Sequence, residues 1–90
     1  MIFLPVYTRQ FERDIRRIKK RGKNLEKIKI IIRTLIQGER LDPIHKDHKL
    51  IGDYKGQREC HIESDWLLIY KIEEKKIIFE RTGRHTDLFK

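Results

Sequence analysis

Ninety residues leave room for one modest hydrophobic core, so residues 1–90 read as a single domain without linker, repeat or low-complexity segment. Charged residues are 40% of the chain, against roughly 25% in a typical globular protein, and the formal net charge is +8. No apolar run could span a bilayer, Met1–Pro5 lacks the features of a signal peptide, and the lone Cys60 cannot close an internal disulfide, so the expectation is a reducing cytoplasm and no membrane.

Ile2–Tyr7 is rich in strand formers, and Pro5 fits an edge position. Thr8 is a suitable helix N-cap. Phe11, Ile15 and Ile18 then recur at spacings of four and three, while Arg13, Arg16, Arg17, Lys19 and Lys20 occupy the other faces. Gly22 closes this helix. Asn24 caps a second one, with Glu26 in the first turn where the helix dipole favours negative charge. Its stripe is Leu25, Ile28, Ile32 and Leu35, widened by Ile31 and Ile36. A connection of about three residues makes the two helices an antiparallel hairpin.

The charge is lopsided. Residues 1–40 hold 12 Lys/Arg and 4 Asp/Glu, whereas residues 41–90 hold 10 of each. The excess lies largely in Arg13, Arg16, Arg17, Lys19, Lys20, Arg21, Lys23 and Lys27, the footprint of a polyanionic partner, most often nucleic acid. The plainer alternative is a solvated face that keeps a small protein soluble. A membrane-surface helix would need interfacial Trp and a broader apolar face.

Gly38 to Gly52 reads as irregular. After it the period becomes two. Arg58–Ile62 is a short strand with Glu59 and His61 on one face and Cys60 and Ile62 on the other. Trp66–Ile72 is nearly all apolar, as in a central strand covered on at least one face. Glu73-Glu74-Lys75 is a polar turn, and Lys76–Arg81 is the antiparallel partner. The sum is an α+β domain: an N-terminal strand and an antiparallel helical hairpin packed on a small, mainly antiparallel β-sheet.

The residues suited to chemistry gather at strand ends. The run Phe79–Phe89 reads as a strand that delivers Arg81, Arg84, His85 and Phe89 to one region, which Asp47-His48-Lys49 and His61–Trp66 can join. Histidine titrates near pH ~6.5, so several beside arginines suit acid–base work on a phosphate. His45 reads as an ordinary hydrogen-bonded histidine. His48, His61 and His85 differ, each lying at or beside an element end next to Asp or Arg.

Zinc is a poor fit despite His45-x-x-His48 and Cys60-His61. There is no Cys-x-x-Cys, and adjacent strand residues face opposite ways, so no metal or cofactor is expected. The same alternation makes Cys60 a core residue rather than a nucleophile. Trp66 reads as core on composition, or alternatively as a stacking surface for an RNA base. Phe89, one residue from the end of the chain, is the stronger aromatic platform. Arg81, two positions after Phe79, is placed on that residue's face, where burial would call for a carboxylate such as Asp65 or Glu59.

Five blocks carry a family resemblance. They are Lys46-Asp47-His48-Lys49-Leu50, Gly52-Asp53-Tyr54-Lys55-Gly56, Arg58-Glu59-Cys60-His61, Asp65-Trp66-Leu67-Leu68-Ile69-Tyr70, and Phe79-Glu80-Arg81-Thr82-Gly83 with His85 and Leu88-Phe89. In order and spacing they resemble the YafQ branch of the RelE/ParE toxin superfamily, small ribosome-dependent mRNA interferases of bacterial toxin–antitoxin pairs. The resemblance covers nearly the whole chain and implies a RelE-like β-α-α-β-β-β order with a twisted sheet. It also implies metal-independent cleavage of mRNA in the ribosomal A site. There the 2′-hydroxyl attacks the adjacent phosphate, leaving a cyclic phosphate and a free 5′-hydroxyl.

Carried over position by position, His48, His61, Asp65 and His85 match the family's catalytic set, and Arg81 its phosphate-stabilising residue. Trp66 and Phe89 match aromatics that position RNA, and Glu59 an acidic residue of secondary importance. On this basis His85 is the expected leaving-group acid, Asp65 or His48 the base, and His61 orients or shares the proton. Arg84 adds a charge that the family pattern does not require, one that binds a further phosphate, alters codon preference or only faces solvent. The basic hairpin would dock on ribosomal RNA, and the implied protein partner is an acidic, partly disordered antitoxin in a bacterial cytoplasm. Two other readings compete: a ParE-like gyrase inhibitor, which lacks the catalytic histidines, and a non-catalytic basic nucleic-acid-binding module, which leaves the His–Asp–Arg set unexplained.

Overall fold

The Thr8 hydroxyl accepts the backbone N–H of Phe11 at 3.0 Å, the N-cap bond anticipated for the first helix, α1, Arg9–Lys20. Asn24 Oδ1 does the same for Glu26 at 3.0 Å and opens α2, Leu25–Ile36. Between them Gly22 takes φ +80°, a left-handed turn that a side chain would strain. The computed structural model describes residues 2–50, 52 and 56–89.

Five strands make one sheet: β1 Leu4–Tyr7, β2 His48–Lys49, β3 Gln57–Glu63, β4 Trp66–Glu73 and β5 Lys76–Gly83. Their order is β1-β5-β4-β3-β2, with β1 parallel to β5 and every other pair antiparallel. Pro5 sits on an edge strand, where its missing N–H costs no ladder bond. A last short helix, α3, spans His85–Leu88. Among the described residues no helix is long and apolar enough to cross a membrane.

The hairpin packs on one face of the sheet. Phe11 and Ile18 of α1 and Ile28, Ile31 and Leu35 of α2 meet Cys60, Ile62, Trp66, Leu68, Tyr70, Ile77 and Phe79 in a single core. Burying each large apolar side chain contributes ~1.5–3 kcal/mol, which the short helices could not supply from propensity alone. Leu67 and Ile69, pointing to the other face of β4, are buried as well, which accounts for the almost unbroken apolar run of that strand.

Three features depart from the pattern read along the chain. The irregular stretch contains a 3-10 turn at Pro43–His45 and the two-residue strand β2. Strand β5 runs on to Gly83, and the residues after it are helical. Most consequentially, a bulge interrupts the β4–β5 ladder. Tyr70 pairs with Phe79 but Ile69 pairs with Arg81, so Glu80 is an extra residue. Arg81 therefore lies on the face opposite Phe79, not on the same one as strict alternation requires. Asp53, Tyr54 and Lys55 of the second sequence block lie outside the described residues.

Candidate active site

The face of the sheet away from the α1–α2 hairpin collects the reactive side chains because of register. Glu59 stands opposite Ile69, His61 opposite Leu67, and Ile69 opposite Arg81, so Glu59, His61 and Arg81 share that face. The short β2 places His48 directly across from Glu59. Asp47 pins it there: its Oδ1 accepts the Tyr70 hydroxyl at 2.7 Å and lies 3.3 Å from Arg58 Nε. Burial, followed by this carboxylate, pushes the Tyr70 hydroxyl up.

Glu59 is only 5% exposed and lies between two imidazoles. His61 Nε2 is 3.6 Å from its Oε1, and His48 Nε2 is 3.8 Å from its Oε2. The other ring nitrogen of His48 is engaged by the Lys46 carbonyl at 2.6 Å. The His61 and His85 rings are 6.3 Å apart, and the His85 and Phe89 rings 5.8 Å. His85 is itself held by Asp65, whose Oδ1 accepts the His85 backbone N–H at 3.2 Å and lies 3.5 Å from Nδ1. One continuous group thus joins His48, Glu59, His61, His85, Asp65 and Phe89, brought from β2, β3, the β3–β4 turn and α3. The side chains of His48, Asp65 and His85 are half-exposed or more, so the cluster faces outward.

Arg81 finds its carboxylate elsewhere than Asp65 or Glu59. Its Nε lies 2.8 Å from Asp14 Oδ2 and its Nη2 3.3 Å from Oδ1, across to helix α1. Asp14 is the residue that sequence reasoning missed. The available signal was its position within the apolar stripe, three residues after Phe11 and four before Ile18.

Trp66 is 2% exposed, and its indole N–H donates to Thr82 Oγ1 at 3.0 Å. It belongs to the core, the reading that composition favoured. Phe89, partly exposed beside His85, keeps an aromatic face at the site. Cys60 is fully buried opposite His61, with its thiol pushed up mainly by that burial. His45 stays outside the cluster but supports it, its Nδ1 lying 2.7 Å from the His61 carbonyl oxygen. Among the described residues, no group of three or more His, Cys, Asp or Glu side chains is arranged to hold a metal ion.

The basic hairpin divides into two sets. Arg21 grips Asp87 with two bonds, 2.8 and 3.2 Å, and thereby ties α3 to the end of α1. Those hydrogen bonds hold the Asp87 carboxyl well below the usual carboxylate range. Lys23 and Lys27 close on Glu63 at 2.8 and 2.7 Å and lower its carboxyl too, Lys23 first. Arg17 belongs with Asp14 at 2.6 Å. Arg13, Arg16, Lys19 and Lys20 are exposed and, among the described residues, carry no salt bridge. Arg84 is half-exposed at the start of α3; its backbone N–H donates to Asp87 and its Nε lies 3.9 Å away from that carboxylate.

The chain as a whole resembles known proteins in both sequence and fold. The family described as the bacterial toxin of type II toxin–antitoxin systems, YafQ, matches residues 4–90. The mRNA interferase toxin YafQ of Escherichia coli (strain K12) is 43% identical over 84 residues, 92% of this chain and 91% of that protein. Among solved structures, a chain of the E. coli DinJ–YafQ toxin–antitoxin complex superposes with a TM-score of 0.93 at 40% identity, covering 100% of both chains. A metal-bound toxin from Helicobacter pylori superposes with a TM-score of 0.89 at 33% identity, covering 99% of this chain and 100% of that one.

Proposed function

The chain belongs to the YafQ family of bacterial type II toxins, and on that premise we propose that it is an endoribonuclease that cuts mRNA on the ribosome. One observation carries this reading: His61 on buried Glu59 faces His85 on Asp65, with the two rings 6.3 Å apart on an open face. Two imidazoles supported separately by carboxylates are what a base and an acid acting on one phosphate need.

The reaction is an internal transesterification. His61 takes the proton of the 2′-hydroxyl through the ring nitrogen turned away from Glu59. The 2′-oxygen attacks the adjacent phosphorus, and the bond to the 5′-oxygen breaks as His85 Nε2 donates a proton to it. The products are a 2′,3′-cyclic phosphate and a free 5′-hydroxyl, and proton exchange with solvent resets both rings. Asp65 aligns His85, since its Oδ1 accepts that residue's backbone N–H and lies beside its Nδ1. His48 supports Glu59, because one of its nitrogens is taken by Lys46. Arg81 meets the charge that builds on the phosphate. Base, acid and cation all come from the chain, so this chemistry calls on no metal. Phe89 supplies a face for a neighbouring base.

The unpaired cations Arg13, Arg16, Lys19 and Lys20 dock on ribosomal RNA, an attachment that weakens steeply with salt. The partner that silences the toxin is an antitoxin with acidic character, as the basic hairpin requires for charge complementarity. The test is primer extension on a translated message with the wild-type chain and with His85→Ala. Discrete in-frame cuts that drop by about 10²–10⁴-fold in the variant are expected for loss of a general acid. Growth arrest without cuts, equal in both, would move the target to gyrase or another non-cleaved partner.

A further inference from the structure

Asp14 is fully buried on a helix dominated by Arg and Lys, and four residues donate to it. Gln10 Nε2 lies at 3.2 Å, Arg17 Nη2 at 2.6 Å, Arg81 Nε and Nη2 at 2.8 and 3.3 Å, and the Thr82 backbone N–H at 3.1 Å. A buried carboxylate is costly to desolvate, and an apolar residue of similar size between Phe11 and Ile18 would often serve stability as well or better. Something other than stability is therefore a reason for a charge here.

The geometry supplies that reason. Strand β1 last pairs with β5 at Phe79, and the bulge at Glu80 then turns Arg81 onto the open face. Beyond that point the free edge of β5 is capped by Asp14 Oδ2 through the Thr82 N–H. The same carboxylate takes Nε and Nη2 of Arg81, which fixes the plane of the guanidinium. Nη1 has no partner among the described residues, and the side chain is 31% exposed. Two guanidiniums, those of Arg17 and Arg81, share one carboxylate, so the assembly keeps a net positive charge.

We infer that Asp14 is a positioning residue for the cleavage reaction: it holds Arg81 by two of its nitrogens so that Nη1 is aimed at the scissile phosphate. This rests on the endoribonuclease reading. The experiment is a double-mutant cycle of Asp14→Asn and Arg81→Ala, read as cleavage of ribosome-bound message under saturating and limiting conditions, with thermal melts alongside. Asp14→Asn is expected to lower kcat by about 10- to 100-fold with little change in KM, as for a misplaced phosphate donor. In the Arg81→Ala background it should lower kcat no further, although it still shifts the melting temperature. Added guanidinium ion at millimolar concentration should restore part of the activity of Arg81→Ala but none of that of the double variant.

Equal losses from Asp14→Asn in both backgrounds, or equal rescue of both by guanidinium, would overturn the assignment and leave Asp14 a structural anchor. Should Asp14→Asn fail to fold, Asp14→Glu replaces it in the same cycle, since it keeps the charge and shifts the fork by one methylene. A wild-type chain that makes no cuts would instead bring down the endoribonuclease reading, and the assignment with it.

Discussion

Oε1 of Glu59 stands 3.6 Å from Nε2 of His61 in a site where the carboxylate is 5% exposed. At that distance no strong hydrogen bond offsets the lost hydration. On the proposed reading, the carboxylate orients and polarises imidazoles rather than stabilising the sheet.

Glu59→Gln should therefore separate activity from stability. The cleavage rate is expected to fall about 10- to 100-fold, as for a reacting group held slightly out of place. The melting temperature should stay level or rise, because a buried charge has been removed. Parallel rate measurements and thermal melts check this, and unchanged cleavage would remove Glu59 from the reaction.

The Arg21–Asp87 pair makes a pH-dependent claim about α3. The folded carboxyl is depressed, chiefly by the hydrogen bonds of Arg21, so its stabilisation is complete above the unfolded value of ~3.9 and is lost as pH falls through the folded one. Asp87→Asn keeps an acceptor for the Arg84 N–H but drops the charge. At neutral pH we expect it to cost about 1 kcal/mol, or ~4–8 °C in Tm, and to slow cleavage by loosening His85. The Tm gap from wild type should shrink as pH is lowered below ~4. A gap that grows on acidification contradicts the assignment.

Trp66 offers the cleanest test of core against RNA contact. Trp66→Phe keeps an aromatic ring but leaves Thr82 Oγ1 without the indole N–H donor, at a cost of about 1–3 kcal/mol together with the lost volume. Melting should fall accordingly, while cleavage measured well below the new Tm should stay within about 3-fold of wild type if the buried ring serves only the core. A large loss of kcat with an unchanged Tm would return Trp66 to the RNA.

The helical hairpin and its caps were readable because their signals are local. Thr8, Asn24 and the four- and three-residue spacings of Phe11, Ile15 and Ile18 act within a turn or two of chain, and each is found where the pattern put it. The identities of His48, His61, Asp65 and His85 as one group were legible from the five blocks, and the structure brings all four together. Cys60 opposite His61 followed from the two-residue period of a strand, and that too is local.

What the chain did not disclose depends on pairing between distant segments. A two-residue strand such as β2 has no period to detect; only its ladder with Arg58 and Glu59 makes it a strand and sets His48 across from Glu59. The extra residue Glu80 is an ordinary strand residue by composition, yet it turns Arg81 from the Phe79 face to the one that carries Glu59 and His61. Asp14 looks like a lapse in an apolar stripe until β5 presents Thr82 and Arg81 to it, and the partner of the Trp66 N–H, Thr82, comes from a separate strand. Sequence by itself determined the helical hairpin, the longer strands and which residue types carry the chemistry, because periodicity and capping are short-range. Only the tertiary structure decided which faces those residues share and which partners they hold, because register and bulges are set by hydrogen bonds between strands far apart in the chain.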